Sequence, residues 1–289
     1  MKKIYKNTVL LTLFTVTLLL GSCKDDDQVL PVTDVIYDLA VDGNQVTFTN
    51  KTNAASYTWD FGDGTTSTEE SPVHVYPGKG KYVATLVATV TGGATAEGST
   101  VIRISKSSPV KLNDNSLDDW NTVTANVITS GTGGGTFRTV KYDYDGNYVY
   151  VYVEMVSKRA NGDIFDLYMD TDNSAGTGLL TSAFPDGGYD VLLEGQLLAA
   201  GLDVFYHKGA QTDFSFDQQS ISDFLQIGTV TESANGLLRF EFRLARGKLK
   251  GLMGQALRIG MTATKSDWSV TLGSAPDAGA SGYLIPMAD

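Results

Sequence analysis

The amino-acid sequence predicts an all-β protein, with a small antiparallel β-sandwich followed by a larger one. Apolar and polar residues alternate with a period of two in both halves, as in Tyr82, Ala84, Leu86, Ala88 and Val90 and again across residues 137–155. Turn dipeptides such as Asp63-Gly64 and Asp145-Gly146 punctuate these runs. A polar, proline-ended break, Ser105-Lys106-Ser107-Ser108-Pro109, separates the two regions. The 289 residues then divide into a leader 1–22, a tether 23–32, a first domain 33–104, a linker 105–109 and a second domain 110–289.

Composition excludes several function classes. With 22 Lys+Arg against 33 Asp+Glu, the net charge of -11 leaves nothing to neutralise phosphates, so nucleic acid is not an expected partner. A single cysteine rules out an internal disulfide framework and Cys-rich zinc or iron–sulfur sites. Neither a Gly-rich phosphate loop nor a nucleophile elbow occurs, and His74 and His207 lie in no nucleophile–base arrangement.

The leader begins with Lys2, Lys3 and Lys6, continues through an apolar run, residues 9–20, and ends in Leu20-Gly21-Ser22-Cys23. A basic start, a dozen apolar residues and small residues before a cleavage point make a secretory signal, too short to span a bilayer. Leu20-Gly21-Ser22-Cys23 resembles a bacterial lipobox, which implies cleavage before Cys23 and acylation of Cys23 as an outer-membrane lipid anchor. Lys24-Asp25-Asp26-Asp27 resembles the acidic signal that sends such lipoproteins to the outer face of the outer membrane. Cleavage would remove three lysines and no acids, taking the net charge from -11 to -14. An acidic protein beside an anionic surface meets neutral ligands more readily than acidic ones.

In the first domain, Trp59-Asp60-Phe61-Gly62-Asp63-Gly64, Ser71-Pro72-Val73-His74-Val75-Tyr76 and Gly80-Lys81-Tyr82 follow in order. Together they resemble a PKD domain, which implies an immunoglobulin-like sandwich acting as a spacer in surface proteins and secreted glycanases. The reading places Trp59 in the core and His74 at a turn, with Ala84 and Ala88 standing where larger aliphatics are usual. Asp60 and Asp63 suit either calcium or backbone-capping Asx turns.

In the second domain the run 137–155 is a hairpin with Asp145-Gly146-Asn147 at its tip. Either position of the two-residue turn puts Val140, Tyr142, Tyr144, Val149, Val151 and Val153 on one face, read as core. The opposite face carries Thr139, Lys141, Asp143, Tyr148, Tyr150, Tyr152 and Glu154. Its tyrosine stripe is either a surface for sugars, whose C–H groups stack on aromatic rings, or cross-strand packing without a ligand. The next strand puts Phe165, Leu167 and Met169 on one side and Asp166, Tyr168 and Asp170 on the other. It runs into a loop, residues 170–178, whose Asp170, Asp172 and Ser174 offer oxygens to calcium or simply build an Asx-rich turn. Residues 189–194, 196–206, 226–231, 237–244 and 258–264 read as strands, and 245–253 as a short basic helix.

Asn113-Asp114 with Asp119-Trp120, then residues 145–153 and 165–172, Gly176-Thr177-Gly178, Gly188-Tyr189-Asp190 and Ser266-Asp267-Trp268 make a second pattern. It resembles carbohydrate-binding modules of family nine and their DOMON-like relatives. That resemblance implies a two-sheet sandwich that binds glycans, often at chain ends, while some relatives bind haem. Trp120 is then a core anchor and Trp268 an exposed stacking platform. A second late tryptophan is missing, which leaves Tyr206 or the tyrosine stripe as substitutes.

The resulting expectation is a surface lipoprotein that binds polysaccharide or oligosaccharide without cleaving it and presents it to an outer-membrane glycan transporter complex. Three other readings stand beside it. A glycoside hydrolase needs a pair of carboxylates. A haem domain would draw on His207 with a methionine such as Met155, Met169, Met253, Met261 or Met287. A structural adhesin would bind no small ligand at all.

Overall fold

The computed structural model describes residues 34–287. Cys23, the lipobox and the acidic tether lie outside the described residues. Among the described residues no helix is long and apolar enough to cross a membrane.

The first domain contains β1 (Tyr37–Asp42), β2 (Gln45–Asn50), β3 (Ser56–Asp60), β4 (Thr66–Ser67), β5 (Val73–Val75), β6 (Gly80–Thr89) and β7 (Thr95–Ile104). They form two antiparallel sheets, ordered β1-β2-β5 and β4-β3-β6-β7. The inward residues of β2, β3 and β6 pack as one core around the fully buried Trp59, with Phe48, Phe61, Tyr76, Ala84 and Leu86. Trp59 Nε1 donates to the carbonyl of Glu69 at 3.1 Å, so the ring is buried with its polar end satisfied. His74 stacks on Phe61, ring centroids 4.0 Å apart, and its Nε2 meets Asp63 Oδ2 at 2.7 Å. Asp60 accepts from Gly62 N and Asp63 from Thr65 N, so both acids cap backbone in Asx turns. Gly62 has φ +77°, and a Cβ there would lie 2.5 Å from the Val83 carbonyl oxygen, so only glycine fits this turn.

The second domain contains β8 (Val127–Thr129), β9 (Phe137–Tyr144), β10 (Tyr148–Val156), β11 (Ile164–Asp170), β12 (Val191–Gly195) and β13 (Asp203–His207). It continues with β14 (Phe216–Gln219), β15 (Leu225–Glu232), β16 (Leu237–Ala245), β17 (Ala256–Thr264), β18 (Thr271–Ala275) and β19 (Tyr283–Pro286). A five-stranded sheet runs β15-β16-β10-β9-β8, and a larger one runs β14-β13-β12-β11-β17-β18, with β19 also paired to β17. All pairings are antiparallel, and the core lies between the sheets.

The β9–β10 hairpin pairs Tyr144 with Val149, Tyr142 with Val151 and Val140 with Val153. All six of these side chains lie in the main core. The other face is not an open groove. Val110, Leu112, Trp120 and Val123 lie over it and bury Tyr150 and Tyr152, while Tyr148 packs at the margin. Trp120 Nε1 donates to Oε2 of Glu241, which is itself fully buried, at 2.8 Å.

Two local expectations fail. Residues 245–253 do not form a helix: only Arg246–Lys248 make a 3-10 turn, because Gly247 and Gly251 remove helix propensity. Arg246 is buried, donating to the carbonyls of Leu252, Asp145 and Gly254. Residues 196–201 are a turn rather than strand, with the amides of Ala199, Ala200 and Gly201 all donating to the Gln196 carbonyl. The linker is not free either: Lys106 pairs with Asp143, and Ser108 Oγ donates to the same carboxylate at 2.6 Å.

Candidate functional site

Trp268 stands on the turn joining β17 to β18. The turn closes through Lys265 N to the Val270 carbonyl (3.0 Å) and Trp268 N to the Lys265 carbonyl (2.8 Å). Asp267 Oδ1 accepts from both the amide and the hydroxyl of Ser269, and those donors hold its carboxyl below the usual range. Trp268 has φ +62°, a left-handed conformation that a bulky side chain rarely adopts, and its ring is 55% exposed. A strained backbone that holds a large ring out into solvent stabilises nothing locally, so the observation points to function.

Beside this turn opens a cleft of about 330 Å³ lined by Lys265, Ser266, Asp267 and, from the opposing elements, Thr136, Ser157, Asn161 and Asp163. Asn161 Nδ2 donates to Ser157 Oγ at 3.1 Å, and Ser157 Oγ donates to Asp163. The cleft thus holds a hydrogen-bonded set of polar side chains, and the turn that lines it on one side carries the exposed Trp268. Sequence reasoning found Trp268 but missed Ser157, Asn161 and Asp163, which sit in the loop between β10 and β11. Their only signal is a run of polar residues between two strongly apolar strands.

The other expected aromatic contacts do not join this cleft. Tyr150 and Tyr152 are covered, as described above, and their hydroxyls donate to Asp145 and Glu154. Tyr148 lies under the Arg243 guanidinium, 3.9 Å from its ring centroid. The stripe is cross-strand packing, because the preceding segment supplies an apolar lid. Tyr206 faces the main core at its margin, and its hydroxyl accepts from Lys250 N at 3.0 Å. Through the register Tyr206–Val191–Met169–Ile259 it lies five residues down β17 and three strands away from the Trp268 turn. At about 3.3 Å per residue and 4.8 Å per strand, the separation is roughly 20 Å.

His207 lies on the outer face of the larger sheet, with Nε2 3.0 Å from the Asp213 carbonyl oxygen. Met155, Met169, Met261 and Met287 are in the core on the other side, so none of these four pairs with it across a common cavity. Met253 is exposed.

A row of polar residues crosses that same outer face in register: Ser274, Thr262, Asp166, Glu194 and Asp203. Thr262 Oγ1 donates to Asp166 Oδ2 at 3.0 Å, while Asp166 Oδ1 is buried without a donor. Burial pushes the Asp166 carboxyl up, and the Glu194 carboxyl rises through burial and the adjacent Asp166 charge. Over Thr262 and Ser274 lies a second cleft of about 320 Å³, between the 132–135 loop and Ala183 and Ala278.

The acidic loop brings together Asp170, Asp172 and Asp190, with one oxygen of each within 4.8 Å of the others. Ser174, also expected from sequence, lies in the same loop: its amide donates to Asp170 and Asp172, and its hydroxyl accepts from Gly176 N. Asp190 adds a third carboxylate from β12's approach and accepts from Thr171 N at 3.1 Å. Burial and mutual repulsion push the Asp170 and Asp190 carboxyls up. Arg258 Nε is 3.9 Å from Asp170 Oδ2, and Nε itself is buried without a hydrogen bond. An oxygen-only, carboxylate-rich set short of positive charge fits a hard cation such as Ca2+.

Comparison with known proteins identifies the first domain. Residues 28–104 match the PKD domain family, and this part of the chain is a PKD domain. Collagenase ColQ1 of Bacillus cereus is 33% identical over 91 residues, 31% of this chain and 9% of the collagenase. The microbial collagenase of Vibrio alginolyticus is 36% identical over 69 residues, 22% of this chain and 8% of the enzyme. The chain thus spans less than a tenth of these relatives, and the likeness lies in the PKD region alone. Among solved structures, the PKD1 domain of the Vibrio cholerae metalloprotease PrtV is 35% identical, covering 24% of this chain and 93% of that one at TM-score 0.24. A carbohydrate-binding module of the β-sandwich superfamily is 16% identical, covering 74% of this chain and 91% of that one at TM-score 0.29. A likeness that low leaves the role of the second domain to its own side chains.

Proposed function

We propose that the second domain binds a neutral polysaccharide or oligosaccharide, without cleaving it, in the cleft beside Trp268. The observation that carries this reading is an exposed tryptophan, held at a left-handed φ, on the same turn whose residues 265–267 line the cleft. An indole face packs against the C–H face of a sugar ring, while Asn161, Ser157 and the Asp163 and Asp267 carboxylates suit hydroxyl groups. Two carboxylates against the single ammonium of Lys265 favour an uncharged chain over an acidic one.

In this reading the PKD domain is the spacer, and Cys23 carries the acyl chains that hold the protein on the outer membrane, facing outward. From there it hands glycan to an outer-membrane uptake system. Ca2+ would be held by Asp170, Asp172 and Asp190, supplying charge neutralisation and stiffness to their loops.

Affinity electrophoresis against a panel of neutral polysaccharides, followed by calorimetry, tests the reading. Trp268→Ala is expected to weaken binding at least about tenfold, equivalent to ~1.4 kcal/mol, with no release of reducing sugar from either form. Retardation by no polysaccharide, or reducing sugar released by the intact protein, would overturn it.

A further inference from the structure

The two clefts described above share a wall. Leu272 lines both, and the chain neighbours Gly135 and Thr136 line one each. Thr136 N donates to the Leu272 carbonyl at 2.9 Å, so the ridge between the clefts is where residues 134–136 cross residues 272–273. Backbone packs directly on backbone at this crossing. Gly135 has φ +60°, and a Cβ there would lie 2.2 Å from the Leu272 carbonyl oxygen; a Cβ on Gly273 would lie 2.1 Å from the Gly134 carbonyl oxygen.

The first cleft is lined mainly by polar and charged side chains, the second by small and uncharged ones. The turn that bears Trp268 supplies Lys265, Ser266 and Asp267 to the first cleft and leads directly into Thr271 and Leu272 at the second. The second cleft is lined by Gly, Ala, Thr, Ser and Leu, without a charged side chain.

We propose that the two clefts are subsites of one groove, so that the domain takes an internal stretch of a linear, neutral glycan that passes over the Gly135–Leu272 ridge. This rests on the glycan reading given above and adds to it the length and direction of the ligand. A chain passing Trp268 has a subsite on either side of the ridge, which a binder of chain ends does not require.

The test uses the full chain in calorimetry with cello-, xylo-, manno- and laminari-oligosaccharides from dimer to hexamer. Affinity for the bound series is expected to climb at least about tenfold with length and then level off. Reduction of the chain end with borohydride is expected to leave it unchanged. Ala278→Trp, which fills the second cleft, should abolish the gain with length. Equal affinity for dimer and hexamer, or loss of binding on end reduction, overturns the groove while leaving the Trp268 site in place. Binding of no member of any series, or binding indifferent to Trp268→Ala, overturns the underlying reading and the groove together.

Discussion

Single residues carry the chemistry here, and their legibility depended on what surrounds them. Trp59 and Trp120 are core anchors, as their motifs imply, and each indole nitrogen is satisfied. Asp166 was visible in the sequence only as an outward residue of a strand; its register partners Glu194 and Thr262 come from strands 28 and 96 positions away and could not be paired by eye. The consequence is a pH dependence with a definite sign. Both the Asp166 and Glu194 carboxyls have folded pKa values above the unfolded ones. The stabilisation tied to their protonated form is complete below the unfolded pKa and is lost as pH rises through the raised values. Asp166→Asn, whose amide donates to Glu194 without titrating, is expected to raise the melting temperature at neutral pH by a few degrees, on the order of 1 kcal/mol, and to flatten the decline between acid and neutral pH. Thermal melts across that range would show stability rising rather than falling with pH if the pair were instead held ionised by a cation.

At the scale of elements, period-two patterning identified strands and their faces, because an antiparallel pair fixes both at once. It did not tell which of the two faces of β9–β10 is covered. That is decided by residues 110–123, a segment whose apolar residues follow no regular period and which therefore gave no signal of lying flat on the tyrosines. Residues 245–253 read as a short basic helix, which their two glycines, Gly247 and Gly251, disfavour. The lid over the tyrosines is fastened by Trp120 and Glu241, so Trp120→Phe keeps most of the packing but strands a buried carboxylate oxygen. A loss of about 1–3 kcal/mol is expected in urea unfolding. A change below a few tenths of a kcal/mol would show that Thr229 N alone satisfies Glu241.

For the molecule as a whole, the all-β class and the PKD domain were legible, because period-two patterning, turn chemistry and ordered motifs mark them in the chain. The cluster of Asp170, Asp172 and Asp190 was only partly legible: two of its acids share a loop, but the third arrives from across a long excursion. Three carboxylates from two separate segments make any bound cation a staple of the second domain. Millimolar Ca2+ is expected to raise the melting temperature by several degrees, up to ~2.7 kcal/mol at a hundredfold excess over the dissociation constant. Asp190→Asn should remove most of that increment. No calcium response in the unmodified protein, with or without prior chelation, would remove the ion from the account.

The ion pair of Lys106 with Asp143, supported by Ser108, gives the chain a mechanical point of entry into the second sandwich. Asp143 belongs to β9, which is hydrogen-bonded on both flanks, to β8 and to β10. Tension arriving from residue 104 meets that carboxylate before it reaches the first strand of the domain. The load passes into the strand next to the sheet edge, which β10 pairs along its length, rather than into the edge strand β8. A protein that grips a long polymer while fastened at its other end would hold its fold under pull at the cost of one buried acid.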